Sequence, residues 1–466
     1  MTTYIDLFIF AYCLMLALSS MFLIVFAVVE ITRRKATRMP ELDEEVLSEV
    51  STPPIAVIAP SYNEQVHIVE CVRGFLGLDY PQHEVIVVND GSTDATLERL
   101  IADFELEECD RFVQRQIPTS EVRAIYRSRQ DARLWVVDKV NGGKADALNV
   151  GINLARCPLV CCVDADTILA KDALLRLVEP YLYDPQGVVA VGGTVRIING
   201  CKVEDSAIKE IALPSSWLAR FQIVEYLGAF LFGRMGFNRL GGNVIISGAV
   251  GLFLRTALVE AGGYARDTIG EDAELVIRLH RRECHRAVRR KVVQIPEPIC
   301  FTEAPEDLAT FARQRDRWHR GLADALWKHR AMFFSPRYGR TGMLVLPWFL
   351  VFELLAPLVE LLGYLWLCSA VAFGFISWPM AGVFLLIALA WGLILSLQSI
   401  LIDNWSFNVF RSSRSRIGLV LTAILFNVGY RHLTLVCRLS GLARYMIGSK
   451  TWGVMKRKGF RRLGAA

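Results

Sequence analysis

Residues 7–29 read LFIFAYCLMLALSSMFLIVFAVV, a run without a single charged side chain. An α-helix rises about 1.5 Å per residue, so the run is long enough to cross roughly 30 Å of hydrocarbon. ITRRKATR follows at once, at 31–38. Basic flanks tend to stay on the cytoplasmic side, which predicts an N-terminus outside and the following segment inside. A cleaved signal peptide is the weaker reading, because its apolar core is shorter and its basic flank comes first. Any fold for this chain must therefore carry a hydrophobic anchor at one end.

The rest of the chain is divided. Of 466 residues, 53% are hydrophobic and 21% charged, with a mean hydropathy of +0.35. That is too apolar for an ordinary soluble chain and too charged for one lying wholly in lipid. Residues 343–371 and 378–402 are each long and apolar enough to span again, and RSSRSR (411–416) after them should be cytoplasmic. Arg431 and His432 interrupt 417–437, so that stretch is expected to be partial or interfacial, leaving the basic tail KRKGFRR inside. The expected organisation is an anchor over 1–38, a water-soluble domain over 51–330, a membrane region over 341–447 and a basic tail over 448–466. Glu353 and Glu360 lie seven residues apart inside a span. Ionisable groups there are costly, so they should line a polar route or pair with a neighbouring helix. Eleven scattered cysteines without a CxxC or Cys/His spacing predict free thiols and no zinc site.

Between 51 and 200 the pattern changes. IAVIAP (55–60), EVIVVND (84–90), LWVVDK (134–139), LVCCVDAD (159–166) and VVAVGGTV (188–195) alternate with helix-length polar segments. Near-continuous Val/Ile runs of this kind predict parallel strands covered on both faces. Several end in acids: Glu64 just past the first, then Asp90, Asp138, Asp164 and Asp166. Ligands of an open α/β sheet bind beyond the carboxyl ends of its strands, where these side chains converge. In an extended strand Asp164 and Asp166 point to the same side, and two such charges call for a cation between them. Residues 201–246 interleave aromatic and basic positions, as in an interfacial helix or a core-facing helix pair. EDLATFARQRDRWHRGLADALWKH (306–329) reads as one helix, broken by SPRYGR.

The ordered pieces PSYNE (60–64), VVNDGSTD (87–94), NGGKADALN (141–149), DAD (164–166), ISGAVGLFLRTALVEAGGY, GED (270–272) and QRDRW (314–318) resemble glycosyltransferase family 2. They look most like its membrane-embedded, processive members, the cellulose, chitin, hyaluronan and poly-N-acetylglucosamine synthases. The resemblance covers about 51–330 and implies an α/β, GT-A domain inserted between transmembrane helices, in a multi-pass protein of the cell (inner) membrane. By resemblance Asp166 ligates a divalent cation, Mg or Mn, on the diphosphate of a UDP-sugar such as UDP-GlcNAc or UDP-Glc. Asp164 and Glu271 contact the donor, and Tyr62, Glu64, Asp90 and Lys144 hold its uridine part. Asp272 matches the general base, near a helix N-terminus that favours a carboxylate. Gln314, Arg317 and Trp318, at i, i+3 and i+4, share one helix face and close over the diphosphate and the acceptor sugar.

The activity implied is inverting transfer onto a growing β-linked polysaccharide coupled to its translocation. Membrane lipid and accessory export proteins are implied partners, and nucleic acid is not. No cyclic-di-GMP-binding segment is evident after the membrane part, which argues against a close cellulose-synthase equivalent. Two other readings are transfer of one sugar to a lipid-linked acceptor, and an inactive scaffold subunit; retention of Asp90, Asp164, Asp166 and Asp272 argues against the scaffold.

Overall fold

The computed structural model describes residues 2–37, 52–204 and 206–449, so the basic tail at 456–462 lies outside the described residues. In chain order the strands are β1 (Ile55–Ser61), β2 (His83–Asn89), β3 (Leu106–Glu108), β4 (Val122–Ser128), β5 (Leu134–Lys139), β6 (Leu159–Val163), β7 (Ile168–Leu169), β8 (Val188–Ile197), β9 (Lys202–Glu204), β10 (Ala207–Glu210), β11 (Val250–Leu254) and β12 (Lys291–Thr302). Ten of them form one mixed sheet in the order β3-β4-β5-β2-β1-β6-β11-β8-β12-β7, and β9 pairs with β10 alone. The four runs expected to be parallel neighbours are so: β5, β2, β1 and β6 lie side by side in one direction. The fifth, β8, points the same way but is separated from β6 by β11, which is antiparallel to both. Every residue of β6, β8 and β11 is buried. A fully buried Val, Ile or Leu stabilises the fold by about 1.5–3 kcal/mol, so these central strands hold the sheet edge on which the acids sit.

One local expectation needs correction. Asp164 and Asp166 do not share a strand face, because β6 ends at Val163. They occupy a turn in which Thr167 N–H donates to Asp164 O at 3.2 Å. The last rung of pairing is Val250 with Val163, so beyond it the chain is free to turn both carboxylates towards the cleft.

The helix Thr2–Thr37 contains the long apolar run, and its last turn docks on the α/β domain: Arg34 pairs with Glu179 at 2.7 Å and Glu297 at 2.8 Å. Tyr4–Ala36, Ala381–Ser406 and Ser413–Met446 are each long and apolar enough to cross a membrane. The expected span at 343–371 is instead a bent pair, Thr341–Leu354 and Ala356–Ala372, meeting at 42°. Pro357 supplies no N–H at the first turn of the second piece, which accounts for the break. Ser413–Met446 is itself interrupted at Val428 and Gly429, the latter with φ +97°. Within the 201–246 region the expected helical segment packs against the N-terminal apolar helix. Trp217–Leu227 continues through Gly228–Arg234 into Met235–Arg239, and Gly236 lies so close to Leu23 that a Cβ there would stand 2.6 Å from its carbonyl oxygen.

The sheet is fastened to the helix Trp378–Ser406 by a buried ion pair, Arg196 with Asp403. Removing one partner strands the other charge. Asp403→Ala is expected to lower stability by about 3–5 kcal/mol, read as a lowered Tm in detergent, and Arg196→Met in the same chain should recover much of it.

Candidate active site

The strand ends carry the residues expected on the donor side. Pro60 and Ser61 close β1, and Tyr62 beyond them is 49% exposed, its ring free for stacking. Asn63 takes a left-handed φ of +56°, tolerated by Asn, and its Oδ1 accepts from Thr93 N–H at 2.8 Å. Glu64 N–H donates to Thr96 Oγ1 at 3.0 Å. These bonds tie the PSYNE loop to the loop after β2. Asp90 is buried there, paired with Lys139 and accepting from Gly142 N–H at 2.9 Å and Gly143 N–H at 2.7 Å. Asp90 thus shapes the NGGK loop. Gly91 (φ +66°) is needed where the loops meet, since a Cβ would lie 2.9 Å from Asn141 N.

Lys139, absent from the sequence reading, is fully buried between Asp90 and Asp146, the latter at 2.8 Å. A strand lysine beside acids is invisible until the fold brings them together.

The NGGK loop links two halves of the site. Lys144 opens the helix Lys144–Leu154, and its ammonium pairs with Asp164 and lies 3.9 Å from Glu271. The structure therefore places it in the acidic centre. Burial by itself would depress the ammonium, but Asp164 and Glu271 outweigh it and hold the pKa above its ordinary value. Burial pushes Glu271 up, with Lys144 pulling the other way. Asp272 is not a helix cap; Gly270 holds that position, and Asp272 is the second residue of Glu271–Glu283. Gly248 N–H donates to its Oδ2 at 3.1 Å and fixes the carboxylate's direction.

The motif helix Leu308–Lys328 forms the opposite wall. Asp307 caps it, accepting from Thr310 N–H at 2.8 Å. Gln314 is buried, while Trp318 is 43% exposed, between Arg315 at 4.2 Å and the Tyr226 ring at 6.2 Å. The helix approaches Asp272 because Gly270 and Gly321 touch; a Cβ on Gly270 would lie 2.9 Å from Gly321 Cα. Asp316 is no mere spacer inside the motif. Buried, it pairs with Arg320 at 2.8 Å and lies 3.7 Å from Arg444 on the helix Arg431–Met446. Arg315 pairs with Glu225, whose carboxylate also accepts from Tyr430 OH at 2.6 Å.

Lys144, the DAD turn, the start of the Asp272 helix and the motif helix border one cleft of about 780 Å³, within the range of ligand sites. Lys144, Asp164, Asp166, Glu271 and Asp272 line one side and Gln314, Arg317 and Trp318 the other. Tyr62, Glu64 and Asp90 lie outside it, at the ends of the adjoining strands β1 and β2. The cleft continues between the apolar helices as far as Glu353 and Glu360. Each of these acids has an arginine partner, Arg438 at 3.0 Å and Arg431 at 3.3 Å. They both pair with a neighbouring helix and line the cavity.

Asp164, which also meets Lys144, and Asp166 are the two carboxylates that would hold a cation. Among the described residues no group of three or more His, Cys, Asp or Glu side chains forms a complete cage. Two carboxylates facing a cleft suit Mg or Mn, which commonly take one or two from the protein and the rest from substrate phosphates and water. The donor set therefore fits a cation completed by its substrate.

The family model described as glycosyltransferase-like family 2 matches residues 53–321, more than half of the chain. The chain belongs to this family. Poly-beta-1,6-N-acetyl-D-glucosamine synthase of Staphylococcus epidermidis is 29% identical over 272 residues, covering 58% of this chain and 55% of that protein. The Staphylococcus aureus synthase of the same name is 30% identical over 282 residues, covering 60% and 57%. The chain thus spans a little over half the length of these relatives. The mannosyltransferase PcManGT from Pyrobaculum calidifontis, solved with GDP-Man and Mn2+, is 18% identical with a TM-score of 0.53, over 93% of this chain and 99% of that one. That likeness shows the fold, a GT-A-like domain flanked by helices apolar enough to span a membrane.

The Gly270–Gly321 contact sets the distance between Asp272 and the motif helix. Gly321→Val should leave UDP affinity within about twofold yet lower sugar transfer on the order of 10²-fold, the loss that follows a displacement of about 1 Å. Calorimetric UDP titration beside turnover separates the two.

Proposed function

We propose that the protein is an inverting, divalent-cation-dependent transferase that extends a β-linked polysaccharide processively from UDP-N-acetylglucosamine and passes it into the membrane. The observation that carries this reading is the single cleft running from Asp164, Asp166 and Asp272 to the Glu353 and Glu360 pairs between apolar helices. The relatives named above support the choice of sugar and polymer.

Tyr62 stacks on the uracil ring and Glu64 accepts from ribose hydroxyls, while Asp90, braced by Lys139, faces the base. Asp166, with Asp164, would hold Mg or Mn on the donor diphosphate, where the cation offsets the charge of the departing UDP. Trp318 offers its exposed face to the acceptor ring, and Gln314 and Arg317 face the diphosphate. The acceptor hydroxyl attacks the anomeric carbon as Asp272 takes its proton. The bond from that carbon to the diphosphate oxygen breaks, UDP leaves with the electron pair, and one displacement turns an α donor into a β product.

The same reading places the N-terminus outside, the 51–330 domain in the cytoplasm, and the Ser413–Met446 segment, broken at Gly429, alongside the cleft as a re-entrant element. Membrane lipid surrounds the helices.

UDP release by the purified protein with Mn or Mg, across a panel of UDP-sugars, tests the reading. UDP-N-acetylglucosamine should give metal-dependent release with a ladder of products, and EDTA should abolish it. Release without a ladder would replace processive synthesis by single transfer, and no release from any donor would refute the enzyme reading. Asp272→Asn should retain UDP binding and abolish transfer, whereas retained turnover would remove Asp272 as the base.

A further inference from the structure

Arg234 is a cation in the cleft that no step above uses. It ends the segment Gly228–Arg234 and lines the cavity within electrostatic reach of Asp272. Its guanidinium lies over the Phe230 ring at 3.9 Å. Phe230 is 6.0 Å from the Tyr226 ring, which is 6.2 Å from Trp318. Tyr226, Phe230 and Arg234 recur at every fourth position, so one helical face leads from the Trp318 platform towards the base.

Three of the other arginines lining the cleft pair with carboxylates: Arg315 with Glu225, Arg438 with Glu353 and Arg431 with Glu360. Among the described residues Arg234 has no hydrogen-bond acceptor and no carboxylate within ion-pair distance, and its Nη1 is buried. Burial lowers its pKa to about 10, with Asp272 acting against the fall, so it stays charged at neutral pH. A half-buried guanidinium with an enclosed nitrogen and no acceptor carries a desolvation cost, and a binding site is where such a cost is recovered from a ligand.

The surroundings restrict what that ligand group can be. Asp272 is the carboxylate that bears on Arg234, and in the proposed mechanism the donor diphosphate is met elsewhere, by Arg317 and by the cation at Asp164 and Asp166. A sugar hydroxyl can turn to water as readily as to the guanidinium. An amide carbonyl is neutral, accepts strongly and donates nothing, which suits a charged donor beside carboxylates. We propose that Arg234 is the specificity residue of the acceptor end, donating to the acetamido carbonyl of the terminal sugar while Asp272 faces its nucleophilic hydroxyl. This rests on the transferase reading and assigns the contact that distinguishes an N-acetylated chain end from a plain hexose.

Equilibrium binding tests it without turnover. The full chain in detergent, saturated with UDP, is titrated with a β-linked N-acetylglucosamine oligomer and with the same oligomer ending in glucose. The wild type should favour the acetylated end by roughly ten- to a hundredfold, the range for a hydrogen bond to a charged group. Arg234→Met should bind both ends alike, near the wild-type affinity for the glucose end, and Arg234→Lys should recover part of the preference. UDP affinity should be unchanged in both variants, which also reports an intact fold. Equal binding of both ends by the wild type, a preference retained in Arg234→Met, or loss of UDP binding in both variants would overturn the assignment. The transferase reading fails on a different result: a wild type that prefers the acetylated end yet releases UDP from no donor.

Discussion

Lys144 pairs with Asp164 and stands 3.9 Å from Glu271, while Gly248, which holds Asp272 by its N–H, packs against the same ammonium. Carboxylates crowded at the edge of a sheet repel one another and are costly to bury. One lysine, carried on a loop that Asp90 shapes through Gly142 and Gly143, allows them to share a cleft. The loop after β2 and the acidic centre therefore depend on the same short segment, and a change in NGGK reaches both.

The second constraint is mechanical. The motif helix is not simply laid over the sheet. It touches the start of the Asp272 helix at Gly270, pairs through Arg315 with Glu225, and meets the C-terminal helix through Asp316 and Arg444. Tyr430, next to the break at Gly429, shares the Glu225 carboxylate. The wall that presents Trp318 is thus built from the same side chains that fasten the α/β domain to the apolar helices. Under the proposed function, a shift of a membrane helix is felt at the acceptor platform.

Much of this was legible in the sequence because it is local. Val/Ile runs ending in acids marked β1, β2, β5 and β6, and the i, i+3, i+4 spacing put Gln314, Arg317 and Trp318 on one helix face. What was not legible depends on pairings between distant residues. Strand β11 lies inside ISGAVGLFLRTALVEAGGY, and nothing local says that it runs antiparallel between β6 and β8. Lys139 reads as the end of a strand until Asp90 and Asp146 close on it. Glu353 and Glu360 were conspicuous by their cost, but their partners Arg438 and Arg431 lie more than seventy residues away. The period-two argument for Asp164 and Asp166 failed for a simpler reason: the strand stops one residue earlier.

Under the proposed function, one cleft joins the carboxylates at the sheet edge to a path between the apolar helices. The most direct measurement reconstitutes the protein into lipid vesicles with its α/β domain outward and supplies radiolabelled UDP-N-acetylglucosamine and Mn from outside. A glycosidase specific for the polymer is then added, with and without detergent. The account predicts product that resists the enzyme until detergent opens the vesicles. Polymer fully degraded without detergent would contradict it, leaving a transferase whose cleft does not lead its product through the membrane.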